Sequence, residues 1–285
     1  MAKKMGKTVT RELSEIIENI EAYSGAAFHR SAPPEYASKL GIEAGNIGSA
    51  TLLSTRRSNS LYFNRVVGLG LRSQATLEQI EKIIDYYAER KVKRFAVELS
   101  PLAIPNEIVH WLEESGFHES KGATKMWRDG SPIQDEHTGF DIKRVNATAV
   151  SDWFTVMSTV FTQFRSRQQW YEARFNVPQW HHYLAYNGDE PVAVAAMYVQ
   201  DGAAHLTDAA TLSGFRRRGI QKAMIHRRVV DGLKLGCNWF ASETVVPKPR
   251  NPLISHRNLR RSGFEMAYIR AKYVWEGAAS QPSTR

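Results

Sequence analysis

The segment from Ala209 to Met224 constrains this chain of 285 residues more than any other part of it. It reads Ala-Ala-Thr-Leu-Ser-Gly-Phe-Arg-Arg-Arg-Gly-Ile-Gln-Lys-Ala-Met, which predicts a strand, an arginine- and glycine-rich loop, and a helix. The first four backbone N–H groups of a helix have no partner within it, and the helix dipole adds partial positive charge there. A diphosphate can bind at such a helix start, with the arginines as further donors. The alternative is a solvated basic turn before an ordinary surface helix.

Composition limits the classes of protein to which the chain can belong. With 42% hydrophobic and 11% aromatic residues, it can fill one large core or two ordinary ones. The net charge of +9 favours an anionic partner, such as nucleic acid, a membrane surface or a phosphorylated cofactor. The single cysteine, Cys237, excludes an intramolecular disulfide and a cysteine-based metal site, and its apolar neighbours predict a buried thiol.

Targeting and metal signals are absent from the sequence. Leu13, Ile16, Ile17 and Ile20 have the spacing of one helical face, which is typical of an amphipathic helix and not of a signal peptide. The longest apolar run, 192–199, is far shorter than the roughly 20 residues that a membrane helix needs. We therefore expect a soluble cytoplasmic protein. His181 and His182 lack the spacing of metal ligands, so we expect no metal site and a surface position for both.

One structural plan occurs twice along the chain. Phe95 to Glu98 is echoed by Phe240 to Glu243, and Leu112 to Phe117 is echoed by Leu259 to Phe264. We therefore predict an α/β (α+β) fold of two units, each a mixed, mostly antiparallel twisted sheet flanked by helices. The units are expected at 1–135 and 136–285, with the joint in the polar stretch 129–139.

Local signals place elements in each copy. In the first copy they predict a strand over 61–71, a helix opened by the capping box of Thr76 and Gln79, a strand over 94–99 and a helix over 106–115. In the second copy they predict a helix from Trp153 to Phe164. Turn signals at 187–189 and 201–202 then predict an antiparallel meander that leads into the arginine loop.

This order of elements over residues 141–276 resembles that of the GNAT superfamily of N-acetyltransferases. Arg216-Arg217-Arg218-Gly219-Ile220-Gln221 is similar to the family's Arg/Gln-x-x-Gly-x-Gly/Ala signature, except that Gln221 replaces the last small residue. A later helix containing Asn251, Ser255, Asn258 and a final Gly-Phe completes the resemblance. At the matching place the first copy reads Leu71-Arg72-Ser73-Gln74, without the glycine, so we expect that copy to be degenerate and without cofactor.

The resemblance implies acetyl-CoA as the cofactor. Its diphosphate would bind the backbone of 216–222, and its pantetheine arm would pair with 210–212 and enter a V-shaped splay between this strand and the strand of Phe240 to Thr244. The implied cofactor-binding residues are Ala210, Thr211, Leu212, Arg216, Arg217, Arg218, Gly219, Ile220, Gln221, Lys222, Asn251, Ser255 and Asn258. Helix capping is the alternative role for Asn251 and Ser255.

Acetyl transfer to an amine needs a neutral amine, a stabilised oxyanion and a protonated leaving thiolate. The candidate bases are Glu243, at the mouth of the expected splay, and His205, on the incoming strand where some family members carry a base. Each has a structural alternative, because Glu98 stands in the place of Glu243 in the degenerate copy and His205 could serve packing. Many family members carry a tyrosine acid on the last helix, where this chain has Leu259.

The expected function is therefore transfer of an acetyl group to a primary amine of a small acceptor by direct attack. Trp111, Trp127, Trp170 and Trp180 could line an acceptor groove or fill the core. A non-catalytic CoA-binding module is one alternative, favoured by Leu259. A Fem-type aminoacyl transferase, which uses charged tRNA, is another that the basic charge favours and the intact loop opposes. Scattered basic residues argue against nucleic-acid binding, and the sequence identifies neither the acceptor nor the oligomeric state.

Overall fold

The computed structural model describes residues 9–247 and 254–277, and these contain eight α-helices and eleven β-strands. The helices are α1 (Arg11–Arg30), α2 (Pro34–Leu40), α3 (Leu77–Glu89), α4 (Ile108–Glu114), α5 (Val150–Val160), α6 (Gln168–Ala173), α7 (Ile220–Lys234) and α8 (Ile254–Arg261). The strands are β1 (Ile42–Ile47), β2 (Ala50–Thr55), β3 (Arg65–Val67), β4 (Phe95–Leu99), β5 (His118–Asp129), β6 (Asp141–Val145), β7 (Trp180–Asn187), β8 (Glu190–Gln200), β9 (Ala203–Thr211), β10 (Trp239–Val245) and β11 (Glu265–Trp275). None of the described helices is long and apolar enough to span a bilayer.

The strands form one mixed sheet in the order β1-β2-β3-β4-β11-β5-β10-β9-β8-β7-β6. This confirms a mixed α/β fold, but with a single eleven-stranded sheet where we expected one sheet for each copy. Contacts divide the chain into a first unit, with the described residues of 1–30, 37–125 and 267–285, and a second unit, 31–36 and 126–266. Strands β5 and β11 each contribute residues to both units.

The first unit follows its local sequence signals, apart from one strand. Leu13, Ile17 and Ile20 are buried along α1, as their helical spacing predicts. Helix α3 starts with the predicted capping box, in which Oγ1 of Thr76 accepts from the Gln79 amide at 3.2 Å and Oε1 of Gln79 accepts from the Thr76 amide at 3.3 Å. The strand expected over 61–71 is only Arg65–Val67, because the chain turns at 61–63 and at the following glycines, which have positive φ.

The second unit contains the predicted meander. Strands β7, β8 and β9 pair antiparallel through turns in which Gly188 and Gly202 have φ of +63° and +71°. Helix α5 packs on this sheet through buried Trp153, whose indole Nε1 donates to the Ala195 carbonyl at 3.3 Å. Helix α7 adds further apolar residues to the core, and Cys237 is buried there as expected.

Candidate active site

Strands β9 and β10 are parallel and stop pairing before either strand ends. Their register runs from Ala203 opposite Trp239 to Leu206 opposite Ser242, where Oγ of Ser242 donates to the Leu206 carbonyl at 2.9 Å. Beyond this point β9 continues to Thr211 and β10 to Val245 without further pairing between them in the described residues. The edge of β9 over 207–211 therefore has unpaired backbone groups facing the β10 side.

A β-bulge in β9 lies at the point where this pairing stops. The register with β8 shifts between Val194 and Ala196, and Asp208 within the bulge has φ of +52°. The buried guanidinium of Arg228, on α7, donates through Nη1 to the carbonyls of Ala196 at 3.0 Å and Thr207 at 3.3 Å. Burial lowers the pKa of Arg228 to about 10. Helix α7 thus fixes the bulge, because its charged guanidinium donates to one backbone carbonyl on each of the two strands.

The loop between β9 and α7 exposes a row of backbone donors. After a single 3₁₀ turn, Ser213–Phe215, the chain passes through left-handed conformations at Arg217 (φ +64°) and Gly219 (φ +81°). Gly219 is the N-cap of α7, and no side chain caps the helix. Among the described residues, no acceptor is bonded to the amides of 217–222, and no atom lies within 4 Å of a Cβ placed at Gly219. These open amides at a helix start are suited to an anion.

The basic side chains of the loop are exposed and only partly engaged. Nε of Arg216 donates to the Thr211 carbonyl at 3.1 Å, and the guanidinium of Arg218 lies 4.7 Å from the ring centroid of Phe140. Lys222 forms an ion pair with Glu136, from the segment 131–138, which has neither helix nor strand. Two of the arginines are thus held by local contacts while their charge faces solvent.

The predicted cofactor residues divide into three groups in the structure. The backbone of 210–212 and the loop of 216–222 are consecutive, and Ile220 points its side chain into the core. Gln221 and Asn258 are hydrogen-bonded to each other, with Nδ2 of Asn258 donating to Oε1 of Gln221 at 2.7 Å, and Ser255 lies on the same helix, α8. Asn251 lies outside the described residues.

The corresponding loop of the first unit leads into a helix that side chains cap. Thr76 and Gln79 cap α3, and Arg11 donates to the carbonyl of Leu71 at 2.8 Å. A Cβ at Gly70 would lie 2.7 Å from the carbonyl oxygen of Ile104, so the loop is packed against its neighbours. The two units therefore differ at this helix start, because side chains cap α3 and no side chain caps α7.

The two copies also differ in how far their parallel strands pair. In the first unit, pairing of β3 with β4 continues to Val67 opposite Glu98, the equivalent of Glu243. The buried Glu98 carboxylate contacts the guanidinium groups of Arg65 at 3.1 Å and Arg270 at 2.5 Å. Arg65 stands beside Ala96 in the register, as His205 stands beside Ala241 in the second unit. The first unit thus has buried ion pairs at the position where, in the second unit, the two strands stop pairing.

The candidate catalytic residues lie on either side of the last paired residues of β9 and β10. His205 is buried one residue before the end of pairing, and exposed Glu243 is the first residue beyond it on β10. Leu259, at the place of the family's tyrosine, is buried in the core of the second unit. Both predicted bases therefore lie near the point where β9 and β10 stop pairing. Position 259 supplies no proton donor.

Asp208 is a charged residue at this site that the sequence analysis missed. Its carboxylate forms an ion pair with Arg174, and the two side chains are only 5% and 1% exposed. Nε of Arg174 also donates to Nε2 of His182 at 3.1 Å, and its guanidinium lies 4.4 Å from the ring centroid of Trp180. A non-glycine residue held in left-handed conformation by its surroundings is common at functional sites. An aspartate in an otherwise apolar strand just before the loop was the available signal.

His181 and His182 are buried, with 6% and 2% exposure, so the expected surface position is wrong. Strand β7 is covered on both faces, and its alternating side chains are therefore buried in both directions. Burial lowers the pKa of His181 to about 4 and that of His182 well below its ordinary value, and nearby arginines act in the same direction. Both imidazoles are neutral at pH 7.

Comparison with known proteins gives a family match for one segment of the chain. Residues 147–250, which include the bulge and the arginine loop, match the model of the acetyltransferase (GNAT) family. Over this segment the chain is similar to the GNAT acetyltransferases, as its loop signature and element order predicted. No curated protein matches the chain.

Solved structures show that the GNAT-like fold extends over the whole chain. A GCN5-related N-acetyltransferase from Kribbella flavida is 15% identical, with 93% of this chain and 97% of that chain covered and a TM-score of 0.63. A tandem GNAT protein from the clavulanic acid biosynthesis pathway is 12% identical, with 99% and 98% covered and a TM-score of 0.62. A functionally unknown conserved protein from Staphylococcus epidermidis is 13% identical, with 87% and 99% covered and a TM-score of 0.57. At these identities the likeness concerns the fold alone.

Proposed function

We propose that this protein is an acetyl-CoA-dependent N-acetyltransferase that acetylates a primary amine of a small acceptor by direct attack. The observation that carries this proposal is the row of open amides at 217–222, next to the strand ends of β9 and β10. A capped helix start would have no free donors for a diphosphate, whereas this one has several together with three exposed arginines.

The residues of the loop fit the cofactor. The amides of 217–222 would hold the diphosphate, and Gly219 leaves the space that a Cβ would fill. Ala210, Thr211 and Leu212 lie where β9 no longer pairs with β10, and this stretch would pair with the pantetheine arm. Asn251, Ser255 and Asn258 would flank the arm. The bound cofactor supplies an acetyl group activated as a thioester.

The acceptor amine must lose a proton, and the chain offers two groups for it. His205 and Glu243 stand within one residue of the last pair between β9 and β10, on neighbouring strands. We assign proton removal to one of these two residues. Beside them, the Asp208 carboxylate is neutralised by its buried ion pair with Arg174, so it is not a third candidate base.

We propose that only the second copy, 136–285, binds acetyl-CoA and that the first copy, 1–135, is silent. Two features of the first copy support this division. The capping box of Thr76 satisfies the start of α3 with side chains, and the Glu98 carboxylate is buried in ion pairs. In the second copy, no side chain caps α7 and the equivalent Glu243 is exposed. In this proposal the first copy has a structural role only.

A non-catalytic CoA-binding module is the second candidate, and Leu259 favours it. A buried leucine cannot return a proton to the leaving thiolate, so an enzyme would need another acid or water in that role.

Calorimetry with acetyl-CoA, CoA, dephospho-CoA and pantetheine tests the proposal, followed by an amine-library screen for thiol release. We expect micromolar binding of the first three ligands, with dephospho-CoA within about tenfold of CoA because it keeps the diphosphate. Pantetheine, which lacks the diphosphate, should bind at least about 100-fold more weakly. Absence of CoA binding would overturn the proposal, and CoA binding without turnover on any amine would favour the binding module.

A further inference from the structure

A cavity in the second unit lies apart from the arginine loop. It has a volume of about 480 Å³, which lies within the range of roughly 300–1,000 Å³ that is typical of small-molecule sites. It opens where β6 ends and β7 begins, beside the short 3₁₀ turn that follows α6. No residue assigned above to the cofactor lines it. Its lining includes Arg144, Asn146, Phe175, Val177, Trp180 and His182.

Three side chains of this cavity, Arg144, Asn146 and His182, can donate hydrogen bonds. The exposed Arg144 makes no hydrogen bond or ion pair with the described part of the chain. Oδ1 of Asn146 accepts from the amide of Thr148 at 3.0 Å and from its hydroxyl at 2.7 Å, which leaves the Nδ2 hydrogens of Asn146 as donors. No aspartate or glutamate is among the lining residues.

The imidazole of His182 is a third donor. Its Nε2 accepts the hydrogen bond from Nε of Arg174, so in the neutral ring the proton is on Nδ1. Burial and the neighbouring Arg174 keep the pKa of His182 well below its ordinary value, which keeps the ring neutral. This tautomer cannot accept a hydrogen bond from an ammonium group at Nδ1, but it can donate one to an anion.

The walls of the cavity are aromatic and apolar. The rings of Phe175 and His182 stack, with centroids 3.6 Å apart and an interplanar angle of 9°. Trp180 is 6% exposed, and its buried Nε1 has no hydrogen-bond partner among the described residues. A buried N–H without an acceptor is unfavourable, so a ligand acceptor that reached it would stabilise this wall.

We infer that this cavity binds a small carboxylate with a flat aromatic body. Arg144, Asn146 and Nδ1 of His182 supply the donors for the carboxylate, and Phe175, Val177 and Trp180 contact the body. The site goes beyond the proposed acetyl transfer and does not depend on it. His182 also accepts a hydrogen bond from Arg174, which forms the ion pair with Asp208, so a ligand that contacts His182 is one side chain away from that ion pair.

Phenylacetate, neutral phenylacetamide and cationic phenethylamine are matched probes for this site, since they share one ring and differ in charge. Titrations followed by tryptophan fluorescence, without acyl-CoA, should give a phenylacetate Kd at least about fivefold below that of phenylacetamide, and the weakest binding for phenethylamine. Arg144→Gln should weaken phenylacetate binding at least about fivefold and leave phenylacetamide unchanged. Arg165→Gln, at an exposed arginine outside the cavity, should change neither.

Three results would overturn the inference. One is equal affinity for the three probes, and another is unchanged phenylacetate binding in Arg144→Gln. The third is loss of phenylacetate binding in Gly219→Glu, since that would place the carboxylate at the arginine loop. Because no acyl-CoA is present, the proposed acetyl transfer can fail without changing any of these results.

Discussion

Asn258 on α8 donates a hydrogen bond from Nδ2 to Oε1 of Gln221 in the first turn of α7, with an N–O distance of 2.7 Å. Gln221 is the residue that departs from the family's loop signature, which has a small residue at this place. The departure therefore brings a direct link between two elements that we propose to flank the cofactor. A hydrogen bond that already fixes these two elements in the free protein reduces the entropic cost of ordering them when a ligand binds.

A double-mutant cycle measures this link. Gln221→Ala and Asn258→Ala should each weaken acetyl-CoA binding by about fivefold, equivalent to about 1 kcal/mol, because either change removes the same hydrogen bond. The double variant should be no weaker than either single variant, and calorimetry gives the coupling energy directly. Losses that add up would show that the two side chains act separately.

Gly219 can be tested against a matched glycine. Gly219→Glu and Gly188→Glu both place a glutamate at positive φ, +81° and +63°, and neither Cβ would have an atom within 4 Å. Both should lower the free energy of unfolding by about 1 kcal/mol, from backbone strain. Only Gly219→Glu should abolish CoA binding, because its carboxylate would stand where the diphosphate is expected. Equal CoA affinity in the two variants would argue against the loop assignment.

Local signals in the sequence predicted much of this fold. The capping box of Thr76, the turns at Gly188 and Gly202, and the glycine loop before α7 each depend on residues close together in the chain. The single sheet was not predictable, since it depends on long-range pairing such as that of β11 with β4. The burial of His181 and His182 was missed for a related reason, because helices cover both faces of β7 only in the folded unit.

The residues of the candidate site likewise divide into those that local sequence predicts and those that only long-range contacts bring together. Arg216 to Lys222 could be found because one short segment contains the whole loop. The ion pair of Asp208 and Arg174 could not, since these residues are 34 positions apart and meet only when α6 packs beside the bulge. The cofactor-binding and catalytic roles of all these residues remain predictions for experiment.

The first copy should not contribute to cofactor affinity. Arg72, at the loop position of that copy, donates to Glu15 at 2.9 Å and to the hydroxyl of Tyr23 at 3.1 Å, so its guanidinium is already engaged. Arg72→Ala should therefore leave the acetyl-CoA Kd within about twofold of wild type by calorimetry. A tenfold loss, about 1.4 kcal/mol, would contradict a silent first copy.

The ion pair at the bulge should dominate local stability. Arg174→Gln should lower the free energy of unfolding by about 3–5 kcal/mol, because it leaves the Asp208 carboxylate buried without its charged partner. Arg227→Gln is the control, since Arg227 pairs with Asp231 at 3.0 Å with its side chain 39% exposed, and it should cost at most about 1 kcal/mol. Urea unfolding compares the two, and similar losses would mean that burial does not govern the Arg174 pair.

His181 should make the stability of the protein depend on pH below 6.5. Its pKa is about 4 in the folded protein, against 6.5 for the unperturbed group, because burial and Arg144 disfavour the imidazolium. As pH falls from 6.5 toward 4, the unfolded chain gains a proton at this histidine while the folded chain does not. The stabilisation is therefore complete above pH 6.5 and decreases in this window.

The expected loss at His181 between pH 7.5 and 5 is about 1–2 kcal/mol, at 1.36 kcal/mol per pKa unit. His181→Phe removes the titrating group, so its free energy of unfolding should fall by that much less than the wild type over the same range. His110→Phe, at a histidine on α4 whose side chain is 68% exposed, should keep the wild-type dependence. Urea unfolding at pH 7.5, 6.0 and 5.0 separates the three proteins, and parallel curves for all of them would exclude His181 as a source of the acid sensitivity.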